Sequence, residues 1–386
     1  MRRTARGLSW GARSSTELGV NLITRSPARW LAHALERGAL RDSVVARGLA
    51  WTWARAARVE RPLQLPRSRS VIGVSGAVLG GSGVTPVAIQ LADDLAARGL
   101  AVALVSHGFG ARVRGAQRVD GGPGGAACGD EARLAASCLG QRGVPVFVAT
   151  RMQQALDSAA RALPDGGVVV LDGALQASPS RLSLACLVLD AADPWGSGSC
   201  PPLGDLRAPQ AALVRAADSV LCVDSGASEP RWLRCQAALR AAQVQAPVRV
   251  TRRLVGLAPP GTAAGSGGAR PIEWLRGRDF GLALALGRPE RVLAQLRALG
   301  LAPRWVFEAL DHRGLSALVR SKKYSRSDLW VTTAKCWLAT QVATQAAFSG
   351  HQMANWLVLR EQLELPADWL AALAARLSGG VARRSA

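Results

Sequence analysis

The chain has 386 residues, 49% of them hydrophobic, and a formal net charge of +21 at pH 7. That length suits two domains of ordinary size, and that apolar fraction excludes wholesale disorder. Only Lys322, Lys323 and Lys335 are lysines among 48 basic residues; this arginine bias reads as genome composition as much as a polyanion footprint, and with no basic motif interleaved with aromatics no nucleic-acid partner is expected.

Residues 1–70 form a basic segment with fourteen arginines against four acids. Apolar residues recur at helical spacing from Trp30 to Trp53, among them Leu31, Leu35, Val45, Leu49 and Trp51. Two readings stay open for this amphipathic helix: one lying in a membrane interface, and one packed on the domain that follows. The basic start, Met1-Arg2-Arg3, is not followed by a clean apolar core, so no signal peptide is expected. No run of 18 apolar residues occurs, so no membrane span is expected. The seven cysteines form no CxxC pair, which points to reduced thiols and away from zinc.

From residue 71 the pattern alternates between strands and helices. Strands are expected near 71–75, 101–106, 144–149, 167–171, 184–189, 219–223 and 248–251, and helices near 86–98, 130–139 and 151–162. Continuous rather than alternating apolar strands imply a parallel sheet covered on both faces. Residues 257–271 are a linker by composition. A second unit over 272–378 shows strands near 281–286, 305–307, 329–332 and 356–359, with helices near 289–299 and 366–377. Residues 379–386 read as a tail, and no internal repeat is evident. The fold class is α/β: a P-loop-type parallel sheet domain over 71–256, a second, smaller α/β domain, and the basic helical segment in front. Trp51, Trp53, Trp195 and Trp337 are expected to be packing residues.

The densest local signal is Gly80-Gly81-Ser82-Gly83-Val84-Thr85-Pro86 between a strand and a helix. Backbone amides of such a loop, with the helix N-terminus, make a concave anion site. Thr85 stands where a phosphate loop places the hydroxyl that holds Mg2+. The pattern departs from GxxxxGK[ST] twice, with Val78 at the first glycine and Val84 at the phosphate lysine.

Further motifs follow in order: Ser106-His107-Gly108-Phe109-Gly110, Gly129-Asp130-Glu131, Asp172-Gly173-Ala174-Leu175-Gln176-Ala177, Leu206-Arg207-Ala208-Pro209, Gly287-Arg288-Pro289-Glu290-Arg291, Asp311-His312 and Thr333-Ala334-Lys335-Cys336. In this order and spacing, over about residues 20–378, the chain resembles the tetraacyldisaccharide 4'-kinases, whose motifs read GGTGKTP, SRGYGG, GDE, DDGLQH, PLREP, GNPERF, DHH and TEKD. The resemblance implies ATP-dependent phosphorylation of a lipid A disaccharide precursor with Mg2+, at the cytoplasmic face of the bacterial inner membrane by peripheral contact. It sets no oligomeric state.

Carried over position by position, Gly80, Gly81, Ser82, Gly83 and Thr85 would cradle phosphate. Asp130 would assist deprotonation of the sugar 4'-hydroxyl with His312 as its partner. Thr85 and Asp172 would contact Mg2+, while Glu131, Arg207 and Lys335 would bind substrate. Set against this, Val84 replaces the lysine, His107 an arginine, Gly173 an acid, and Ala177 and Arg313 histidines; both acids of TEKD are lost. Lys335, Arg112 and Arg114 are candidates for the missing cation. Asp130 has a simpler reading as a carboxylate at a helix N-terminus. A non-catalytic relative that binds lipid, nucleotide or a protein partner is the competing class.

Overall fold

The computed structural model describes residues 35–36, 40, 43–56, 63–108, 111–119, 127–173, 182–226, 228–261, 268–309, 315, 318, 327–344 and 355–382. In chain order these hold α1 (Val44–Ala56), β1 (Ser70–Gly76), α2 (Val84–Ala97), β2 (Val102–Ser106), β3 (Gln117–Val119), α3 (Asp130–Leu139), β4 (Val146–Val148), α4 (Met152–Ala162), β5 (Val168–Asp172) and β6 (Leu184–Asp190). There follow α5 (Gln210–Ala216), β7 (Ser219–Ser225), α6 (Glu229–Ala241), β8 (Val248–Ala258), β9 (Arg270–Pro271), β10 (Gly281–Leu284), α7 (Glu290–Ala298), β11 (Trp305–Glu308), β12 (Trp330–Thr333), α8 (Ala334–Thr344), β13 (Trp356–Glu364) and α9 (Ala367–Ala382).

All thirteen strands join one sheet, ordered β11-β10-β12-β13-β8-β7-β6-β1-β5-β2-β4-β3, with β9 paired to β8. Strands β8, β7, β6, β1, β5, β2 and β4 are mutually parallel. So are β11, β10, β12 and β13. The two parallel sets meet through one antiparallel pair, β13 with β8, from Val358↔Ala258 to Glu364↔Thr251.

Every residue of β2, β5 and β6 is buried, because helices cover both faces. On one face α2 presents Val87, Leu91 and Leu95 to Ile72, Val74 and Leu104; on the other α4 and α6 present Leu156, Trp232 and Leu239 to Val71, Leu171 and Leu187. The second set has its own clusters, around Leu282, Leu296 and Leu357 and around Trp330, Trp337 and Trp356. Helix α9 does not stay with the strands before it: Leu370, Leu373 and Leu377 pack into the core that holds α2. The compositional linker has both ends in the sheet, since Leu257 and Ala258 close β8 and Arg270 and Pro271 form β9.

This connectivity positions the site. Strand β8 pairs with β7 from Val248 to Arg252 and then runs on to meet β13. Because β13 runs the opposite way, the carboxyl ends of both parallel sets face one cleft of ≈ 1500 Å3. Ligands of open α/β sheets bind at that edge.

Helix α1 corrects one expectation. Trp51 and Trp53, read as packing residues, are 58% and 43% exposed. The packing stripe is instead Ala46, Ala50 and Ala54, while Val45 and Leu49 also face outward. Trp195 and Trp337 are buried.

Candidate active site

Strand β1 ends at Gly76, and after seven intervening residues Val84 opens α2. The intervening loop is held by its own backbone. Leu79 N–H donates to the Asp205 carbonyl at 2.8 Å, Arg207 N–H to the Ala77 carbonyl at 2.8 Å, and Arg207 Nε to the Val78 carbonyl at 3.0 Å. Arg207 therefore braces the loop from the neighbouring segment.

Gly76 is needed for close approach, since a Cβ there would lie 2.7 Å from Ser82 Oγ and 2.9 Å from Val84 Cγ2. Gly81 and Gly83 have φ of 73° and 82°, left-handed values that glycine adopts without strain. No side chain caps α2, so the amides of its first turn, which lack partners within a helix, face the cleft. Ser82 is buried and its hydroxyl has no hydrogen-bond partner. Val84 lines the cleft and packs against the core.

Asp172 ends β5 beside this loop, fully buried, and neither carboxylate oxygen makes a hydrogen bond of normal geometry. Burial pushes its pKa up; the charge of His107, the nearby Thr85 hydroxyl and Lys335 draw it partly back, and Glu131 raises it further. Among the described residues no three His, Cys, Asp or Glu gather as a metal cage. Mg2+ needs no such cage, since one or two carboxylates plus phosphate oxygens and waters suffice. A buried acid without partners next to a threonine hydroxyl fits that requirement.

Across the cleft Lys335, on α8, donates to Glu131 Oε1 of α3 at 2.6 Å. Burial alone would raise the Glu131 pKa, but the Lys335 charge and hydrogen bond, with His107, hold it below the ordinary value. Gly173 has φ 98°, and a Cβ there would meet the His107 ring at 3.5 Å. The imidazole therefore lies alongside position 173 at ordinary contact distance.

The phosphate-loop glycines, Ser82, Thr85, Glu131, Asp172, Arg207 and Lys335 all line one cleft. Asp130 heads α3 next to Arg133, whose guanidinium its charge supports, and its neighbour Glu131 is the one that lines the cleft. His312, Asp311 and Gln176 lie outside the described residues. Of the candidate cations Lys335 lines the cleft; Arg112 and Arg114 are not among its described lining residues. Two arginines that the motif reading left without a role do line it, Arg288 and Arg291. Arg288 is buried and pairs with Asp205 Oδ2 at 2.9 Å, and Arg291 pairs with Asp190. Both belong to the motif Gly287-Arg288-Pro289-Glu290-Arg291, whose order in the chain is a signal but whose chemistry the sequence alone does not assign.

The Glu131 ion pair has a pH signature. Its folded pKa lies below its unfolded value, so its stabilisation is present above the unfolded carboxylate value and is lost as pH falls through the depressed folded one. In urea melts across pH 3–7, Glu131→Gln is expected to flatten the acid side of the stability profile relative to the parent; an unchanged acid slope would show the pair contributes nothing.

Comparison with known proteins agrees with this architecture. The family model of tetraacyldisaccharide-1-P 4'-kinase matches residues 44–378. A tetraacyldisaccharide 4'-kinase of Anaeromyxobacter dehalogenans (strain 2CP-C) is 33% identical over 323 residues, 81% of this chain and 79% of that protein. One from Methylobacterium sp. (strain 4-46) is 32% identical over 357 residues, 91% of this chain and 93% of that protein. A crystal structure of LpxK from Aquifex aeolicus in complex with ATP shares the fold, with a TM-score of 0.62 at 19% identity over 88% of this chain and 98% of that one. With a family match across both parallel sets and the cleft between them, the chain belongs to the tetraacyldisaccharide-1-P 4'-kinase family of phosphotransferases.

Proposed function

We propose that the protein transfers the γ-phosphoryl group of ATP to the 4'-hydroxyl of a lipid A disaccharide precursor. The observation that carries this reading is Asp172: a fully buried carboxylate with no hydrogen bond of normal geometry at the sheet's carboxyl edge, beside Thr85 and the uncapped N-terminus of α2. Leaving an acid unpaired there is costly unless a cation arrives with the ligand.

The roles are those the family motifs imply, and the shared cleft supports them for residues 80–85, Asp172, Glu131 and Lys335. Amides over 80–85 hold the phosphates, and Thr85 and Asp172 hold Mg2+, which when bound neutralises the phosphate oxygens. Asp130, which heads α3 beside the cleft-lining Glu131, takes the proton as the 4'-oxygen attacks the γ-phosphorus; the bond to the bridging oxygen breaks and ADP leaves. His312 supports Asp130. Glu131 and Lys335 form the wall against which the acceptor sits, and Arg207 keeps the loop in shape. The division into an N-terminal segment, a nucleotide-binding domain over 71–256 and a smaller domain over 272–378 gives each substrate one parallel set.

Val84 favours a second reading, a relative that binds nucleotide without turnover, because losing one preorganised electrostatic contact costs about 10²–10³-fold in rate. Transfer of labelled phosphate from ATP to the tetraacyldisaccharide 1-phosphate separates the two. Label reaching the lipid supports the kinase; binding of MgATP with no label transferred supports the alternative. In the same assay Asp172→Asn is expected to lower transfer about 10²-fold or more. Without Mg2+ the same variant is expected to melt higher than the parent at neutral pH, since the strained charge is gone. A lower melting temperature would contradict the reading of Asp172 as a ligand held at a cost to the fold.

Among the described residues no helix is long and apolar enough to cross a membrane. Helix α1 nonetheless exposes Val45 at 74%, Leu49 at 55% and Trp53 at 43%, a stripe at four-residue spacing within a strongly basic segment. Such a face suits the interface of an anionic membrane, where the acyl chains of the acceptor lie. Each of Val45→Glu and Leu49→Glu should weaken sedimentation with anionic vesicles about tenfold. Equal binding by parent and variants would remove α1 from the membrane contact.

A further inference from the structure

Val84 leaves the phosphate loop without the cation that its fold calls for, yet the cleft is not short of positive side chains. Most are committed elsewhere. Lys335 is tied to Glu131 at 2.6 Å, Arg252 to Glu361 at 2.6 Å, and Arg291 to Asp190. Arg207 Nε donates to Val78 inside the loop, and Arg133 Nη1 donates to the Leu338 carbonyl.

Arg288 is different. It leaves the end of β10 in the second parallel set and lays its stem across the phosphate loop of the first. A Cβ built on Gly81 would stand 3.1 Å from Arg288 Cγ, 3.2 Å from Cδ and 3.5 Å from Nε. A side chain at position 81 would press on the Arg288 stem and push it off by a few tenths of an ångström, so glycine favours this close approach as well as its φ of 73°. The Arg288 side chain is 8% exposed. One terminal nitrogen, Nη2, is fixed by Asp205 Oδ2 at 2.9 Å, and Asp205 is itself oriented through Oδ1 by the Ser197 amide and hydroxyl, each at 2.9 Å. The buried Nε makes no hydrogen bond. Glu36, 3.6 Å from Nε, and Asp193, 3.9 Å from Nη1, are ion-pairing neighbours that stand beyond hydrogen-bonding distance. The ion pair with Asp205 therefore sets the plane of the guanidinium while occupying one of its five N–H donors.

We propose that Arg288 is the phosphate cation of this protein, reaching over Gly81 to the β/γ end of the triphosphate in place of the lysine absent at position 84. This rests on the kinase reading and specifies how its phosphate site works. The loop supplies amides from one parallel set and the guanidinium arrives from the other, so triphosphate binding would draw the two walls of the cleft together. An arginine inserted in cis at the transferring group is an established way to stabilise that charge.

The test is a two-by-two set of full-length proteins: parent, Arg288→Gln, Val84→Lys, and the double variant. MgATP affinity and kcat/KM for transfer to the lipid acceptor are measured for each, with melting temperatures alongside. Arg288→Gln should lower kcat/KM about 10²–10³-fold, and Val84→Lys should recover most of that loss in the Arg288→Gln background while changing the parent less than about tenfold. A lysine at 84 cannot restore the ion pair to Asp205, so rescue of transfer without recovery of melting temperature separates a phosphate contact from a structural one. The proposal is overturned if Arg288→Gln transfers like the parent, or if Val84→Lys adds the same factor in both backgrounds. In either case a parent that turns over leaves the kinase reading standing. A parent that neither binds nor uses MgATP removes that reading and this proposal with it.

Discussion

Placing an ionisable carboxylate in a fully dehydrated position without a well-formed hydrogen bond costs a domain several kcal/mol, a large share of the total stability of a typical fold. Asp172 holds that position at the end of β5, and the surrounding structure makes it possible. Strands β1 and β2 flank β5 on both sides in parallel register, and apolar helices α2 and α4 close the faces above and below. The acid cannot move to water without pulling β5 from the centre of the sheet. Its charge is tolerated because His107, Lys335 and the Thr85 hydroxyl oppose the effect of burial. The fold thus holds, at a cost, a charge that a cation and a polyphosphate would complete.

The second constraint is directional. A single parallel sheet offers one carboxyl edge and one wall of a site. Here the β8–β13 pair joins two parallel sets so that their carboxyl ends oppose each other, and side chains from both reach the same space. The consequence is visible in the cations. Val84 is silent, whereas Lys335 and Arg288 come from the far set, one meeting Glu131 and the other crossing Gly81. Positive charge thus reaches the cleft from the wall opposite the loop. Phosphoryl transfer depends on where charge stands around the transferring group more than on which residue carries it.

Much of this was legible before any coordinates. The buried strands announced themselves as unbroken Val, Leu and Ala runs, and β1, β2, β5 and β6 lie within a residue or two of where those runs end. Helices α5, α6 and α8 were not read. In α6, Trp232, Cys235 and Leu239 are the buried positions among arginines and alanines, too sparse an apolar stripe to stand out. In α8 the motif Thr333-Ala334-Lys335-Cys336 carries no helical signal of its own, yet it turns straight from β12 into the helix. In α1 alanines do the packing; the Trp51 indole faces out, while the half-exposed Trp53 keeps an indole N–H bond to the Arg207 carbonyl at 3.3 Å. The glycine loop, Asp172, Glu131 and Lys335 were found from motif order, and the cleft gathers them. Arg288 was invisible in that sense: its role rests on contact with a glycine over 200 positions away in sequence, which no local pattern encodes.

The central claim is that main-chain amides of residues 80–85, without a lysine among them, still bind the phosphates of a nucleotide. Hydrogen–deuterium exchange of the full-length protein with and without saturating MgATP addresses those amides directly. The account predicts slowed exchange over residues 79–85 and at the α2 N-terminus, with further protection in the segment after β10. Unchanged exchange over the loop, while MgATP protects some other part of the chain, would contradict it.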